Sequence, residues 1–195
     1  MNILLTGGAG YIGSHTALSL IDQGHQVTII DNLISGNEKS IPNKANFFKI
    51  DIANKEKIKE ILEKNTFDLV MHFAGLVKVE ESIQFPDKYN LYNIEKAKIF
   101  LQCCFENGLS KVIFSSTAGI YGKKEKNMNV KEADELKPSN PYAQTKLEVE
   151  KYLTSLTLKK KISCIILRYF NVAGADKNKR SGLTSVNSNN LIKVI

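Results

Sequence analysis

Ile3-Leu4-Leu5-Thr6-Gly7-Gly8-Ala9-Gly10-Tyr11-Ile12-Gly13 opens the chain with an apolar run, glycines at 7, 10 and 13, and the start of a helical pattern. A G-x-x-G-x-x-G spacing is common by itself. Directly after a strand and directly before a helix, it reads as a turn that receives a phosphate. Gly7 permits the tight turn, Gly10 lets the backbone approach a pyrophosphate, and Gly13 lets the helix pack close to the strand. The first helical N–H groups then point at the anion with the positive end of the helix dipole behind them.

Working outward, short β-type runs alternate with longer segments of helical period, the pattern of a doubly wound α/β domain with a parallel sheet. The strands are read at Ile3–Thr6, Gln26–Ile30, Asn46–Ile50, Asp68–Phe73, Lys111–Ser116 and Ser163–Arg168. The helices are read at Tyr11–Gln23, Lys55–Lys64, Asp87–Asn107 and Pro141–Lys160. Gly24 and Gly108 stop two of them, and Pro141 suits a first helical turn. The expected fold is therefore Rossmann-type. Residues 1–174 form the dinucleotide-binding domain, and the polar stretch from 175 begins a second, substrate-binding domain that residues 175–195 only open.

Asp31 ends the second strand, 18 residues after Gly13. A carboxylate there accepts hydrogen bonds from adenosine ribose hydroxyls and repels a 2′-phosphate, so NAD is favoured over NADP. Asp51 and Ile52, just past the third strand, are placed to touch adenine, although an aspartate there also suits a helix cap.

The composition excludes several function classes. No run of 18 apolar residues and no basic leader occur, so a cytoplasmic protein is expected. The net charge of +7 comes from lysine runs without interleaved aromatics, read as solvated surface with no nucleic-acid partner. Cys103, Cys104 and Cys164 lack metal-ligand spacing, and no metal is expected. His15, His25 and His72 are read as structural, and Glu80 and Glu81 as a solvated loop or helix start.

Tyr142-Ala143-Gln144-Thr145-Lys146 places a phenol and an amine four apart, on one face of a helix and one turn apart. A tyrosine with a pKa of about 10 is a poor base at neutral pH. Bringing it near neutrality takes about 4 kcal/mol of preference for the phenolate, which an adjacent ammonium and a cationic nicotinamide can supply. Ser115-Ser116-Thr117 ends a strand at the sheet edge where ligands bind in this architecture.

The segments GGAGYIGSH (7–15), DNL (31–33), HFAGLVKVEES (72–82), SSTAGIYG (115–122), NPYAQTK (140–146) and LRYFNVAGA (167–175) together resemble the extended short-chain dehydrogenase/reductase family. Within it, they are most similar to the NAD-dependent UDP-sugar 4-epimerases. The resemblance implies that Tyr11, Ile12, Asp31, Asn32, Asp51, Ile52, Phe73, Ala74, Gly75, Lys78, Asn93 and Phe170 contact the cofactor, with Tyr142 and Lys146. It implies that Thr117, Tyr142 and Lys146 are catalytic, and that Asn171, Asn190 and Leu191 touch the UDP-sugar beside Thr117 and Tyr142. The implied reaction interconverts UDP-glucose and UDP-galactose by oxidation and re-reduction at C4. Two copies are expected to pair through the two long helices. The family's 4,6-dehydratases carry Asp-Glu after the catalytic Thr; here Ala118-Gly119 follows Thr117. A non-catalytic dinucleotide-binding fragment is the alternative. Because the family's second domain is only begun, little or no turnover is expected of these 195 residues alone.

Overall fold

Six parallel strands form one sheet in the order β3-β2-β1-β4-β5-β6 in the computed structural model, which describes residues 1–123, 129–159 and 161–183. The strands are β1 (Asn2–Thr6), β2 (Gln26–Asp31), β3 (Asn46–Lys49), β4 (Leu69–His72), β5 (Lys111–Thr117) and β6 (Ser163–Tyr169). The order reverses between β1 and β4, and a crevice opens there beyond the carboxyl ends of the strands. The fold is the doubly wound one that the sequence pattern implies.

Strand alternation divides the core between the two faces. Ile3, Leu5, Val27, Ile29 and Met71 pack on one side with Ala17 of α1 (Tyr11–Asp22). Leu4, Ile30, Val70, Val112 and Phe114 pack on the other. That second face is covered by α2 (Lys55–Lys64), α5 (Lys96–Glu106) and α6 (Pro141–Leu158). Phe100 of α5 is fully buried there, a contribution of about 1.5–3 kcal/mol. Local chemistry sets the helix ends. Asn54 accepts from the Lys57 amide to start α2, and Asn140 accepts from the Ala143 amide at 2.8 Å to start α6. Gly24, at φ +82°, follows α1.

The helix expected over 87–107 differs from the observed one. It runs as α4 (Pro86–Tyr89), a π-helical turn (Asn90–Glu95) and then α5. A further short helix, α3 (Val79–Gln84), precedes it, with Glu80 and Glu81 in its first turn. The expected end of α6 at Lys160 falls on a residue outside those described. After β6 the chain turns back over the start of α1. Tyr11 donates to the Gly174 carbonyl at 2.6 Å, and Arg180 pairs with Asp22 at 2.7 Å. Among the described residues, no helix is long and apolar enough to cross a membrane.

Candidate active site

At the first βα turn there is no room for side chains. A Cβ on Gly13 would lie 2.2 Å from the Gly7 carbonyl oxygen, and one on Gly7, at φ +73°, would lie 2.5 Å from the Ala74 amide nitrogen. Both obstacles are backbone. The turn is thereby pressed against the end of β4 on one side and against α1 on the other. Gly10 starts α1 without a side-chain cap, leaving its first amides for an external acceptor.

Asp31 braces this turn from β2. Its Oδ2 accepts from the Ala9 amide at 3.0 Å and its Oδ1 from the Leu33 amide at 2.8 Å. Each oxygen keeps acceptor capacity for a further donor. Asp51 Oδ2 accepts from Asn32 at 3.0 Å and from Lys96 at 2.6 Å. The helix cap considered for Asp51 is supplied by Asn54 instead. Asp51 caps the turn to Ala53, its Oδ1 accepting from the Ala53 amide at 2.9 Å.

At the other end of the crevice, Tyr142 and Lys146 stand on successive turns of α6. Lys146 is buried, donates to the Ser115 carbonyl at 3.0 Å and lies over the Phe114 ring at 5.2 Å. Burial pushes its pKa down to about 8. The Thr117 side chain accepts from the Gly119 amide at 3.1 Å, and its hydroxyl favours the ionised form of the Tyr142 phenol. The Tyr142 amide is held by Ser82 Oγ of α3 at 3.1 Å.

Without a cofactor, burial raises the pKa of the phenol, and Thr117 opposes that rise. The Lys146 ammonium is directed to the Ser115 carbonyl. A phenolate at neutral pH therefore needs positive charge from outside the chain.

Lys146 also yields a stability prediction. Its pKa of about 8 in the folded chain lies below the ordinary value of 10.5. Between these values the unfolded chain binds the extra proton, so stability rises with pH. Urea unfolding of the ligand-free chain should show a gain of roughly 3 kcal/mol from this group between pH 8 and 10.5. Lys146→Met should lack that part of the slope; equal slopes for the two chains would contradict the assignment.

The sequence-predicted residues converge on one cleft of about 1570 Å³, more than the 300–1,000 Å³ of a single small-ligand pocket. Gly7, Gly10, Tyr11, Ile12, Gly13, Asp31 and Asn32 line it, with Asp51, Ile52, Phe73, Ala74, Gly75 and Lys78. Thr117, Tyr142, Lys146, Phe170 and Asn171 line it as well. Asn190 and Leu191 lie outside the described residues.

Asn93 is the exception. Only 3% exposed, it gives its amide to the Leu76 carbonyl (2.9 Å) and to Thr145 (3.2 Å) and accepts from the Leu76 amide (2.8 Å). It ties the Gly75-Leu76 loop to α6 and does not face the cleft. Tyr92 and Lys96 do, and sequence reasoning missed both. Their i,i+4 spacing was a signal, but its helical face was not. His72 is also spoken for. It hydrogen bonds Thr6 at 2.8 Å and stacks between Phe100 and Phe114, and burial, with the Lys146 charge second, pushes its pKa down to about 3.

A parallel sheet in this order, with a glycine turn opening on the crevice at its reversal, defines the dinucleotide-binding class of α/β proteins. The chain belongs to the NAD dependent epimerase/dehydratase family, whose model matches residues 3–193. The relatives it matches include nucleotide-sugar 4-epimerases. It is 39% identical to the UDP-glucose 4-epimerase of Azospirillum brasilense over 98% of its own length and 55% of that protein's. It is 38% identical to a putative UDP-arabinose 4-epimerase of Arabidopsis thaliana, over 93% of this chain and 45% of the relative. The crystal structure of UDP-glucose-4-epimerase from Stenotrophomonas maltophila, with bound NAD and formylated UDP-arabinopyranose, superposes with a TM-score of 0.94 at 33% identity. That match covers all of this chain and 60% of the other. The chain thus spans little more than half the length of the UDP-glucose 4-epimerases it matches.

Proposed function

We propose that the chain carries the cofactor site and the acid–base residues of an NAD-dependent UDP-sugar 4-epimerase that interconverts UDP-glucose and UDP-galactose. The supporting observation is convergence. Thr117, Tyr142 and Lys146 line the same cleft on which the Gly7–Gly13 turn opens. The fit to a dinucleotide rests on positions that a Cβ would fill, Gly7 and Gly13, and on the acceptor capacity left to Asp31.

In this reading the α1 amides and the glycine turn hold the pyrophosphate, Asp31 takes the adenosine ribose, and Lys146 takes the nicotinamide ribose. Bound NAD supplies reversible hydride acceptance opposite sugar C4. Tyr142 takes the proton from the sugar 4-hydroxyl. Thr117 accepts from the Gly119 amide, which leaves its own hydrogen free to turn toward the phenol oxygen and steady the phenolate. Once the resulting 4-keto sugar has turned its other face to the cofactor, which would give the hydride back to C4, Tyr142 returns the proton to the C4 oxygen. General base action and positioning together account for the chemistry asked of these side chains. Ala118 and Gly119 follow Thr117 in the cleft wall and offer no acid or base for elimination, which favours epimerisation over dehydration.

Residues 175–195 are read as the opening of a substrate-binding region, with Asn190 and Leu191 against the nucleotide-sugar. Pairing of two copies through the helices at 86–106 and 141–158 belongs to the same reading.

The test is to load the chain with NAD, add a UDP-sugar, and follow the near-ultraviolet absorbance of reduced nicotinamide. UDP-glucose or UDP-galactose should raise it, and more strongly than UDP-arabinopyranose. A stronger response to the pentose would move the substrate assignment. The readout is the first half-reaction and needs no complete turnover; its absence with every UDP-sugar, NAD being bound, would favour a dinucleotide-binding protein without this chemistry.

A further inference from the structure

The end of the cleft beyond Asp31 contains an ion pair that the reaction does not use. Lys96, at the junction of the π turn and α5, extends its ammonium over the Tyr92 ring at 4.0 Å and onto Asp51 Oδ2 at 2.6 Å. Its side chain is only 17% exposed, so solvent screens the pair weakly. Asn32 donates to the same oxygen at 3.0 Å, and the Ala53 amide donates to Oδ1 at 2.9 Å. A carboxylate has about four acceptor positions. Three are taken among the described residues, and the fourth is on Oδ1, in a residue that lines the cleft. The three partners come from three separate elements: the end of β2, the turn before α2, and the helix across the crevice.

We propose that Lys96 is a positioning residue for the cofactor: its ion pair fixes the Asp51 carboxylate so that its one unoccupied acceptor meets the amino group of the dinucleotide's adenine. This rests on the dinucleotide reading above, with adenosine toward Asp31 and nicotinamide toward Lys146. Asn32 and Ala53 supply neutral donors only. The charge-assisted bond from Lys96 is the strongest of the three and the one that sets the carboxylate's rotation. Burial pushes the Asp51 pKa up, but the bonds from Lys96, Ala53 and Asn32 outweigh it and hold the group below the usual carboxylate range. The group is therefore an acceptor throughout the neutral range.

The experiment measures calorimetric affinities of the whole chain for NAD and for nicotinamide hypoxanthine dinucleotide, whose base carries an oxo group in place of the amine. Wild type should prefer NAD by about tenfold, the scale of one hydrogen bond to a charged group. Lys96→Met should weaken NAD binding by most of that factor, leave the hypoxanthine analogue nearly unchanged, and so erase the preference. Lys96→Arg, which keeps the cation, should retain it. Equal weakening of both dinucleotides would mean that Lys96 only attracts phosphate or supports the fold. That result, or an unchanged preference in Lys96→Met, overturns the assignment. Lys96→Gln takes the place of Lys96→Met if circular dichroism shows the latter unfolded. A wild-type chain that binds neither dinucleotide overturns the underlying reading, whereas NAD binding with an unaltered preference overturns only the role of Lys96.

Discussion

Tyr142→Phe should lower the rate at which a UDP-sugar reduces bound NAD by about 10²–10⁴-fold, the usual worth of a positioned acid–base group. Its affinity for NAD should change little. The phenol oxygen is the only atom removed, and the ring keeps its place because the backbone amide is held by Ser82 at 3.1 Å and the helix start by Asn140 at 2.8 Å. Stopped-flow absorbance of the reduced nicotinamide gives the rate, and calorimetry gives the affinity. Thr117→Val should act in the same direction but less strongly, because it removes the partner of the phenol and not the base itself. The pH dependence separates the two. Without the Thr117 hydroxyl one opposition to the rise that burial imposes on the phenol is lost, so the alkaline shift of the rate profile should appear in Thr117→Val alone. A Tyr142→Phe chain that reduces NAD at the wild-type rate would remove the phenol from the chemistry.

Gly13→Ala is the second large effect. Its new methyl group would lie 2.2 Å from the Gly7 carbonyl oxygen, 2.9 Å from the Gly7 carbonyl carbon and 3.0 Å from Gly8 Cα. None of these can rotate away, so α1 must back off from the turn. Overpacking of this kind costs about 1–3 kcal/mol of stability. The displacement also carries the α1 amides away from the pyrophosphate. A shift of about 1 Å in a positioned site is worth about 10²-fold, and NAD affinity should fall on that scale. Gly24→Ala is the control. At φ +82° it too strains the backbone, but no atom lies within 4 Å of the place its methyl group would take, and it is remote from the cleft. It should lose stability while binding NAD normally. If Gly13→Ala binds as tightly as wild type, the turn is not the phosphate site.

How far the sequence could be read depended on whether a residue's task is local. The Gly7–Gly13 turn, Asp31 at the end of β2 and the Tyr142/Lys146 pair are specified by spacing within one element, and all of them line the same cleft. Asn93 shows where this stops. A π turn inserts an extra residue into a helix and rotates the later residues around its axis. The face that Asn93, Tyr92 and Lys96 present could not be taken from an ordinary helical period for that reason. The turn spans Asn90–Glu95, with Asn93 buried and Tyr92 and Lys96 in the cleft. Helix α3 was missed because it has six residues, too few for a periodic signal; its buried Ser82 holds Tyr142 from 60 residues away. A Tyr–Lys spacing says that a charge is near, but how far burial raises the phenol and lowers the ammonium is a property of the packed fold.

The central claim is that Tyr142 and Lys146 work at a nicotinamide whose dinucleotide lies over the first βα turn. A crystal structure of the chain with NAD tests this most directly. The pyrophosphate should sit on the amides following Gly10, with the nicotinamide ribose within hydrogen-bond reach of Lys146 and the ring beside Tyr142. A dinucleotide bound elsewhere, or a cleft in which these two side chains turn away from it, would contradict the claim.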